Sequence, residues 1–228
     1  MKKSNSMQVR RDELETFYPK TETQEIAFKR WDEGYNLILS GSAGTGKTFL
    51  ALYFAFKELL ENPEIYRQVI IMRSVVPTRD MGFLQGSIEE KTDPFTAPYK
   101  AICGEIFGYD GAYGKLTTSR KLRFTTTSHI RGCTYDQSII IVDEMQNLSF
   151  HELDSVITRV GKDCRIIFSG DYAQSDFRFK DERDGLLEFV SIIEQMRFFR
   201  IVEFGWADII RSDFVRDYIM TKELVRGR

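Results

Sequence analysis

The residues with the clearest chemical capacity lie between Gly41 and Thr48, which match the spacing G-x-x-x-x-G-K-[ST]. Glycines in this pattern let the backbone bend until successive N–H groups point at phosphate oxygens. Lys47 supplies an ammonium group for the β- and γ-phosphates of a nucleotide, and Thr48 offers a hydroxyl to Mg²⁺. This segment, named the P-loop below, predicts a triphosphate site. The predicted nucleotide contacts are Gly41, Ser42, Ala43, Gly44, Thr45, Gly46, Lys47, Thr48 and Phe49.

A second chemical feature is the acidic pair Asp143 and Glu144, which follows the apolar run Ser138–Val142. Such a run is typical of a buried parallel strand, and ligands bind at the carboxyl ends of these strands. We expect this strand to neighbour the strand that ends at the P-loop. Asp143 is then expected to hold Mg²⁺ through a water molecule, and Glu144 to polarise the water that attacks the γ-phosphate. A water-activating glutamate favours a hydrolase over a nucleotide switch or a kinase.

Two glutamines have spacings that fit roles in the same site. Gln174 follows Gly170 and Asp171 after another apolar run, so its amide is predicted to orient the attacking water. Gln24 lies 17 residues before Gly41, and its amide can both donate to and accept from an adenine edge. The alternatives remain open: an ordinary surface turn at Gly170 and a surface side chain at Gln24.

The elements that must position these residues alternate between strand and helix. A helix over Thr23–Gly34, a strand over Tyr35–Leu39 and a helix from Lys47 to about Glu61 surround the P-loop. Further strands are predicted at Gln68–Met72, Leu122–Thr127, Ser138–Val142, Arg165–Ser169 and Phe199–Phe204, and helices at Phe150–Val160, Gly185–Met196 and Ile209–Leu224. This alternation predicts an α/β fold: a central, mostly parallel sheet with helices on both faces.

The domain organisation predicted from composition is simple. Residues 1–20 are polar and are expected to form a flexible N-terminal arm, and residues 21–228 a single domain. Residues from about 75 to 119 are rich in Gly and Pro, so we interpret them as an irregular functional insertion.

Composition excludes several classes of protein. Hydrophobic residues make up 42% of the chain, which is enough for a core and excludes global disorder. A formal net charge of −2 excludes a uniformly basic nucleic-acid-binding protein, although it leaves room for a local basic groove. No run of about 18 apolar residues predicts a membrane span, and no apolar leader follows the first residues. We therefore expect a cytoplasmic protein without a membrane partner.

Taken together and in this order, the motifs resemble the PhoH family, which is related to the ATPase core of superfamily 1 helicases. The similar segments beyond the P-loop are Met81–Gly86 and Glu90–Pro94 (family GFLPGD…EKVDP), His129–Thr134 (MRGRT), Asp143–Asn147 (DEAQN), Thr158–Gly161 (TRIG), Gly170–Asp176 (GDxxQxD) and Asp208–Arg211 (DVVRH). The similarity runs from about Thr23 to Arg216. Departures include Ser42, where the family usually has Pro, and Ser212, where it commonly has His.

This resemblance implies a RecA-like P-loop NTPase that uses ATP and Mg²⁺ and assembles as a ring, expected to be a hexamer. In such rings an arginine crosses from one subunit to the next and stabilises charge on the γ-phosphate. Arg211 is the first candidate, followed by Arg159 or Arg131. The short chain resembles a minimal member such as bacteriophages carry, which would act in the host cytoplasm.

The family is proposed to act on RNA or single-stranded nucleic acid, and some basic residues of this chain suit that role. The candidate contacts are Arg73, Arg79, Arg120, Arg123 and Arg131. Arg120 and Arg123 lie close in sequence to the aromatic Phe124, and such a mixture of cations and an aromatic ring suits phosphate contact and base stacking. Solvated charges beside ordinary core aromatics are the alternative.

Three functions therefore compete. The leading hypothesis is a Mg²⁺-dependent, ring-forming ATPase that moves along single-stranded RNA or DNA, as an RNA helicase does. The second is a nucleotide-dependent scaffold or switch, which hydrolysis indifferent to nucleic acid would favour. The third is a small-molecule kinase, which needs an arginine-rich lid and an acceptor pocket that the sequence does not indicate.

Overall fold

The structure is a computed structural model that describes residues 9–74, 88–127, 132, 134–172 and 180–226. The strands are β1 (Asn36–Gly41), β2 (Gln68–Arg73), β3 (Leu122–Thr126), β4 (Ser138–Asp143), β5 (Arg165–Gly170) and β6 (Phe199–Phe204). The helices are α1 (Glu22–Asp32), α2 (Lys47–Glu61), α3 (Ile88–Phe107), α4 (Ala112–Thr118), α5 (Phe150–Ile157), α6 (Lys180–Glu194) and α7 (Asp213–Val225).

In the described part of the chain, six strands form one sheet in the order β3-β2-β4-β5-β1-β6. Every neighbouring pair is parallel, so all carboxyl ends lie at one edge. The predicted α/β fold is confirmed. The predicted adjacency of the P-loop strand and the acidic strand is wrong, because β5 lies between β1 and β4. An apolar run indicates that a strand is buried, but it carries no information on which strands flank it.

Helices cover both faces of the sheet, and the alternation of side chains along each strand divides the core in two. In β1, Leu37 and Leu39 pack with α1, α2, α3 and α4, whereas Ile38 faces the opposite layer with α5 and α6. The central strands β4 and β5 are buried at every position, as expected for parallel strands covered on both sides. Local apolar pattern and overall architecture therefore agree.

The stretch predicted to be an irregular insertion contains two helices, α3 and α4, so that expectation is wrong for these residues. Pro94 and Pro98 explain why the sequence did not predict a helix here, since proline usually ends one. The spacing of Tyr99, Cys103 and Ile106, at i, i+4 and i+7, is that of a buried helix face, and all three are fully buried. Burial of this stripe outweighs the prolines.

The expected flexible arm is packed in its described part. Val9 and Leu14 are buried in the core that covers α2, and Phe17 packs against that core. Glu13 accepts hydrogen bonds from Lys115 on α4 at 2.7 and 2.9 Å. Residues 9–20 are therefore held on the domain, because the few apolar residues in a polar segment are the ones that meet the core.

Helix α2 is the most apolar of the helices that carry the site, and it begins and ends as predicted, at Lys47 and Glu61. Its length of 15 residues is too short to cross a bilayer. Among the residues that the structure describes, no helix combines the length and apolar character needed for a membrane span.

Candidate nucleotide-binding site

The P-loop connects β1 to α2 at the carboxyl edge of the sheet. Gly41 has a φ of +132°, and a Cβ atom there would lie 2.0 Å from the carbonyl oxygen of Phe204 on β6. Only glycine permits this close approach, which the bond from the Ser42 N–H to the Phe204 carbonyl, 3.1 Å, accompanies. Helix α2 then begins at Lys47 with its N–H groups and positive dipole end at the loop. The predicted P-loop therefore connects the predicted strand and helix, and its function as a phosphate cradle stays a prediction.

Lys47 is folded back on the loop that precedes it. Its ammonium Nζ donates to the carbonyl oxygens of Gly41 and Ser42, both at 2.7 Å, and to Thr45 Oγ1 at 3.3 Å. All these acceptors belong to the P-loop, so the ammonium lies within the cradle. The backbone carbonyls thus keep the Lys47 ammonium at a position where the oxygens of a bound phosphate could replace them as acceptors.

Thr48 and Asp143 meet although β5 separates their strands. Thr48 Oγ1 on the first turn of α2 donates to Asp143 Oδ1 at 3.0 Å. Asp143 is the last residue of β4 and is almost fully buried. A hydroxyl and a carboxylate are the two protein oxygens that Mg²⁺ takes beside phosphate and water oxygens, so this pair fits the predicted ion.

The second oxygen of Asp143 is also engaged. Tyr99 on α3 donates from its hydroxyl to Asp143 Oδ2 at 2.8 Å, and Arg73 hydrogen-bonds the same tyrosine. Burial and the neighbouring Asp143 raise the pKa of Tyr99 far above its ordinary value, so the phenol keeps its proton. Burial by itself lowers the pKa of Arg73, but Tyr99, Glu144 and Asp143 together raise it. Arg73, which the sequence predicts as a nucleic-acid contact, lines the cavity next to the acidic pair.

Glu144 lines the cavity from a left-handed backbone position with φ 54° and ψ 47°, which is uncommon for a residue with a side chain. Gln146 donates from Nε2 to Glu144 Oε2, while its Oε1 accepts from the Asp171 N–H at 3.1 Å. One amide therefore links the acidic loop after β4 with the loop after β5. The arrangement fixes the orientation of Glu144.

The segment that follows β6 packs against the P-loop at Gly44. The Ile210 N–H donates to the Gly44 carbonyl at 3.1 Å, and Arg211 lines the cavity beside Gly44. A Cβ atom on Gly44, whose φ is +77°, would lie 2.9 Å from Arg211 Cγ. Arg211 was expected to reach a neighbouring subunit; the structure places it over the P-loop of its own chain.

Aromatic residues and Gln24 form the opposite end of the cavity. The hydroxyl of Thr21 caps α1 by accepting from the Gln24 N–H, which positions the glutamine side chain. Gln24 Nε2 donates to the Thr45 carbonyl at 3.2 Å, and its Oε1 accepts from the Lys20 N–H at 2.8 Å. Gln24 is therefore buried against the P-loop rather than exposed, which excludes the surface alternative.

Phe17 and Tyr18 lie at the same end, in the segment expected to be a flexible arm. Phe17 packs edge-on against Phe49, with ring centroids 4.9 Å apart, while Tyr18, as a residue 78% exposed, lies at the rim. An aromatic face of this kind is suited to a nucleobase. The sequence signal is the aromatic pair Phe17-Tyr18 before Gln24, which the polar composition of residues 1–20 conceals.

These groups surround one cavity of about 650 Å³, a size typical of small-molecule sites. It extends from Tyr18 and Gln24, past Lys47, to Asp143, Glu144 and Arg211. The residues predicted to bind phosphate, hold the metal and activate water therefore line one cavity, or lie next to it, with aromatic residues at one end.

Several predicted residues lie elsewhere. Arg159 donates to the Ser155 carbonyl at 2.7 Å beyond the end of α5, outside the cavity lining. Arg120 and Arg123 are exposed at the start of β3, whereas Arg73 pairs with Thr126, about 10 Å further along that strand. These two arginines therefore lie toward the amino ends of the strands, whereas the P-loop lies at the carboxyl ends. The predicted residues outside the described part of the chain are Gln174, Arg79 and Arg131.

Besides Phe17 and Tyr18, two further residues of the site are not predicted from the sequence. Tyr99 belongs to α3, the helix hidden by prolines, and no motif links it to Asp143, which is 44 residues away. Gln146 stands inside the segment that resembles DEAQN, so its position was visible although its contacts with Glu144 and Asp171 were not. Both hold the acidic pair in place.

Comparisons with known proteins agree with this geometry. The family described as "PhoH-like protein" matches residues 16–222. The PhoH-like protein of Mycobacterium leprae is 28% identical over 212 residues, covering 90% of this chain and 58% of the relative. Protein PhoH2 of Bacillus subtilis is 34% identical over 159 residues, covering 68% of this chain and 36% of the relative. This chain thus spans about half the length of many relatives it matches, including 49% of Protein PhoH of Escherichia coli.

Among solved structures, the helicase domain of Pyrococcus furiosus Hef aligns with a TM-score of 0.50 at 14% identity. The alignment covers 84% of this chain and 40% of the Hef chain. At this identity the likeness concerns the fold alone, that of a RecA-like P-loop NTPase. With a family match over nearly all its length and the P-loop cavity in place, the chain belongs to the PhoH-like protein family.

Proposed function

We propose that this chain binds ATP with Mg²⁺ and hydrolyses it in the cavity between the P-loop and the end of β4. The observation that carries the proposal is the contact of Thr48 Oγ1 with Asp143 Oδ1 at 3.0 Å. It joins the hydroxyl and the carboxylate that a nucleotide-bound Mg²⁺ requires, beside an ammonium already within the cradle. When bound, the ion would neutralise charge on the β- and γ-phosphates.

The residues divide the work by position. Lys47 and the N–H groups at the start of α2 bind the phosphates, and Arg211 lies over Gly44, where it can offset charge that develops on them. Glu144, oriented by Gln146, is the general base for water. Gln24, Phe49 and Tyr18 enclose the adenine ring of ATP. Gln174 remains a predicted water-orienting residue.

Hydrolysis is favoured over the two alternatives by Glu144. A nucleotide switch or scaffold needs no base beside the γ-phosphate, and a kinase needs an acceptor pocket in its place. The glutamate shares the cavity with the P-loop and is held by an amide, which supports water as the acceptor.

The proposal extends to a motor on single-stranded RNA or DNA that assembles as a ring, expected to be a hexamer. Support for this extension comes from the family resemblance and from a fold shared with a helicase domain. The cytoplasm, or the host cytoplasm for a phage protein, is the corresponding location.

The test measures ATP hydrolysis by the purified protein with Mg²⁺ and with EDTA, alongside Lys47→Ala. Wild-type turnover in Lys47→Ala would refute the cradle, because the ammonium in it would be dispensable. Single-stranded RNA and DNA are then added, and the mass in solution is determined with and without ATP. Turnover that neither polymer changes would favour the scaffold, and a monomer under all conditions would refute the ring.

A further inference from the structure

Tyr99 is a fully buried tyrosine whose hydroxyl reaches the carboxylate at the end of β4. Its Oη lies 2.8 Å from Asp143 Oδ2, and its ring packs against Phe124 with centroids 5.8 Å apart. Tyr99 comes from α3, which contacts α2, the helix that carries Thr48. The phenol is therefore fixed by packing and held at the metal-binding end of the cavity.

The direction of the proton in this contact follows from the third partner. A guanidinium has only donors, so Arg73 must donate to the Tyr99 oxygen, and the Tyr99 hydroxyl must donate to Asp143. Thr48 donates to the other oxygen of the same carboxylate at 3.0 Å. Asp143 thus has a hydrogen-bond donor on each oxygen, and Arg73 and Asp143 occupy paired positions on β2 and β4.

We propose that Tyr99 is a positioning residue that holds the Asp143 carboxylate in the orientation required for Mg²⁺ in the ATP site. This inference rests on the proposed function. The donor on Oδ2 leaves Oδ1, the oxygen shared with Thr48, as the one directed at the ion. Partners of this kind fix the orientation of a ligand, and losing one lowers metal affinity by about 10- to 100-fold.

The variant that isolates the hydroxyl is Tyr99→Phe, which keeps the ring and its packing. Binding of a fluorescent ATP analogue is measured in EDTA and across a Mg²⁺ titration. Affinity in EDTA is expected to match that of the wild type, whereas the Mg²⁺ concentration that gives half of the tightening rises by about 10-fold. Hydrolysis at saturating Mg²⁺ recovers toward the wild-type rate.

Tyr109→Phe is the matched control, because it also removes a hydroxyl that bonds a carboxylate. Its partner is Glu13, at 3.2 Å, near the end of α3 and outside the cavity lining. The control should leave both the EDTA affinity and the Mg²⁺ dependence unchanged. Equal behaviour of the two variants would overturn the proposal and leave Tyr99 with a merely structural role.

A second measurement keeps the test valid if Tyr99→Phe does not fold. Because the Tyr99 hydroxyl is buried and hydrogen-bonded, we expect its proton in the wild-type protein to exchange slowly enough for NMR. Its resonance should shift with Mg²⁺ and nucleotide together but not with nucleotide in EDTA. An unmoved resonance refutes the positioning role. If Mg²⁺ does not tighten ATP binding in the wild type, the proposed function fails; if it does and Tyr99→Phe responds identically, only this inference fails.

Discussion

Ser42 in the P-loop donates a hydrogen bond of 3.0 Å to Glu223 Oε2 on the C-terminal helix α7. The Trp206 indole N–H donates to the same oxygen, and Glu223 is the one residue of α7 that is buried. A proline at this position would have no hydroxyl to make this bond. The contact therefore ties α7 to the phosphate cradle and places a carboxylate beside it.

Removing the charge of Glu223 should tighten nucleotide binding. Glu223→Gln keeps an oxygen acceptor for Ser42 and Trp206, but it abolishes a negative charge that opposes the polyphosphate. We expect ATP to bind about threefold more tightly, and high salt to reduce this gain only in part, because a buried charge is screened less than an exposed one. Isothermal titration measures the effect, and Glu188→Gln on the exposed surface of α6 is the control. Weaker binding would show that the anionic form of Glu223 stabilises the cradle.

Replacing Glu144 should separate binding from hydrolysis. Glu144→Gln keeps the size of the side chain and leaves the contact of Thr48 with Asp143 intact, but it cannot accept a proton from water. We expect ATP affinity near that of the wild type and turnover lower by about 10²- to 10⁴-fold. Single-turnover assays with labelled ATP provide the measurement. Normal turnover would assign the base to another residue and reopen the kinase and switch hypotheses.

Sequence patterns predicted which residues belong to this site better than they predicted how distant elements pack to form it. The P-loop, α2 and the acidic end of β4 have strong local signals, because glycine conformation, helix periodicity and burial are written in adjacent residues. The contact of Tyr99 with Asp143 has none, since it depends on how α3 packs across the sheet. The position of β5 between β1 and β4 is likewise a property of the tertiary fold.

The arginines likewise show that the tertiary fold decides what local sequence cannot. Arg73 and Arg123 look alike in sequence, as single cations on apolar strands. The parallel register puts Arg73 opposite Asp143 at the carboxyl end of its strand and leaves Arg123 near the amino end of β3. Position along a strand, and not residue type, decides which arginine enters the cavity.

Arg165 should contribute to stability without affecting the site. Its guanidinium stacks on Trp31 at 3.2 Å and donates to the carbonyls of Trp31 and Tyr35, both at 2.7 Å. Burial lowers the pKa of Arg165, while the ion pair with Glu58 opposes that shift. Arg165→Ala is expected to lower the free energy of unfolding by about 3 to 5 kcal/mol, because buried acceptors and Glu58 lose their partner.

Urea denaturation measures this loss, with Arg30→Ala as the comparison. Arg30 pairs with Glu33 on the exposed end of α1, where an ion pair contributes about 0 to 1 kcal/mol. Equal losses in the two variants would mean that the network around Arg165 adds nothing beyond a surface pair.

Arg211 should act in the chain that carries it. Its side chain lies over Gly44 of the same P-loop, so Arg211→Ala is expected to lower turnover by about 100-fold while ATP still binds. Mixing this variant with Glu144→Gln should then restore no activity, because each chain keeps one defective residue in its own site. Arg216→Ala, on the exposed face of α7, is the control. Activity that returns on mixing would place the arginine in a neighbouring subunit's site.

Arg120 and Arg123 should be dispensable for any effect of nucleic acid on hydrolysis. Both are exposed toward the edge of the sheet opposite the P-loop, so a strand bound there would lie far from Glu144 and the phosphates. The double variant Arg120→Gln and Arg123→Gln is expected to keep the wild-type response of ATP turnover to single-stranded RNA. Arg79→Gln with Arg131→Gln is expected to weaken that response and reduce its dependence on salt, because fewer phosphate contacts release fewer counterions. Loss of the response in the first pair alone would place the nucleic-acid path across the start of β3.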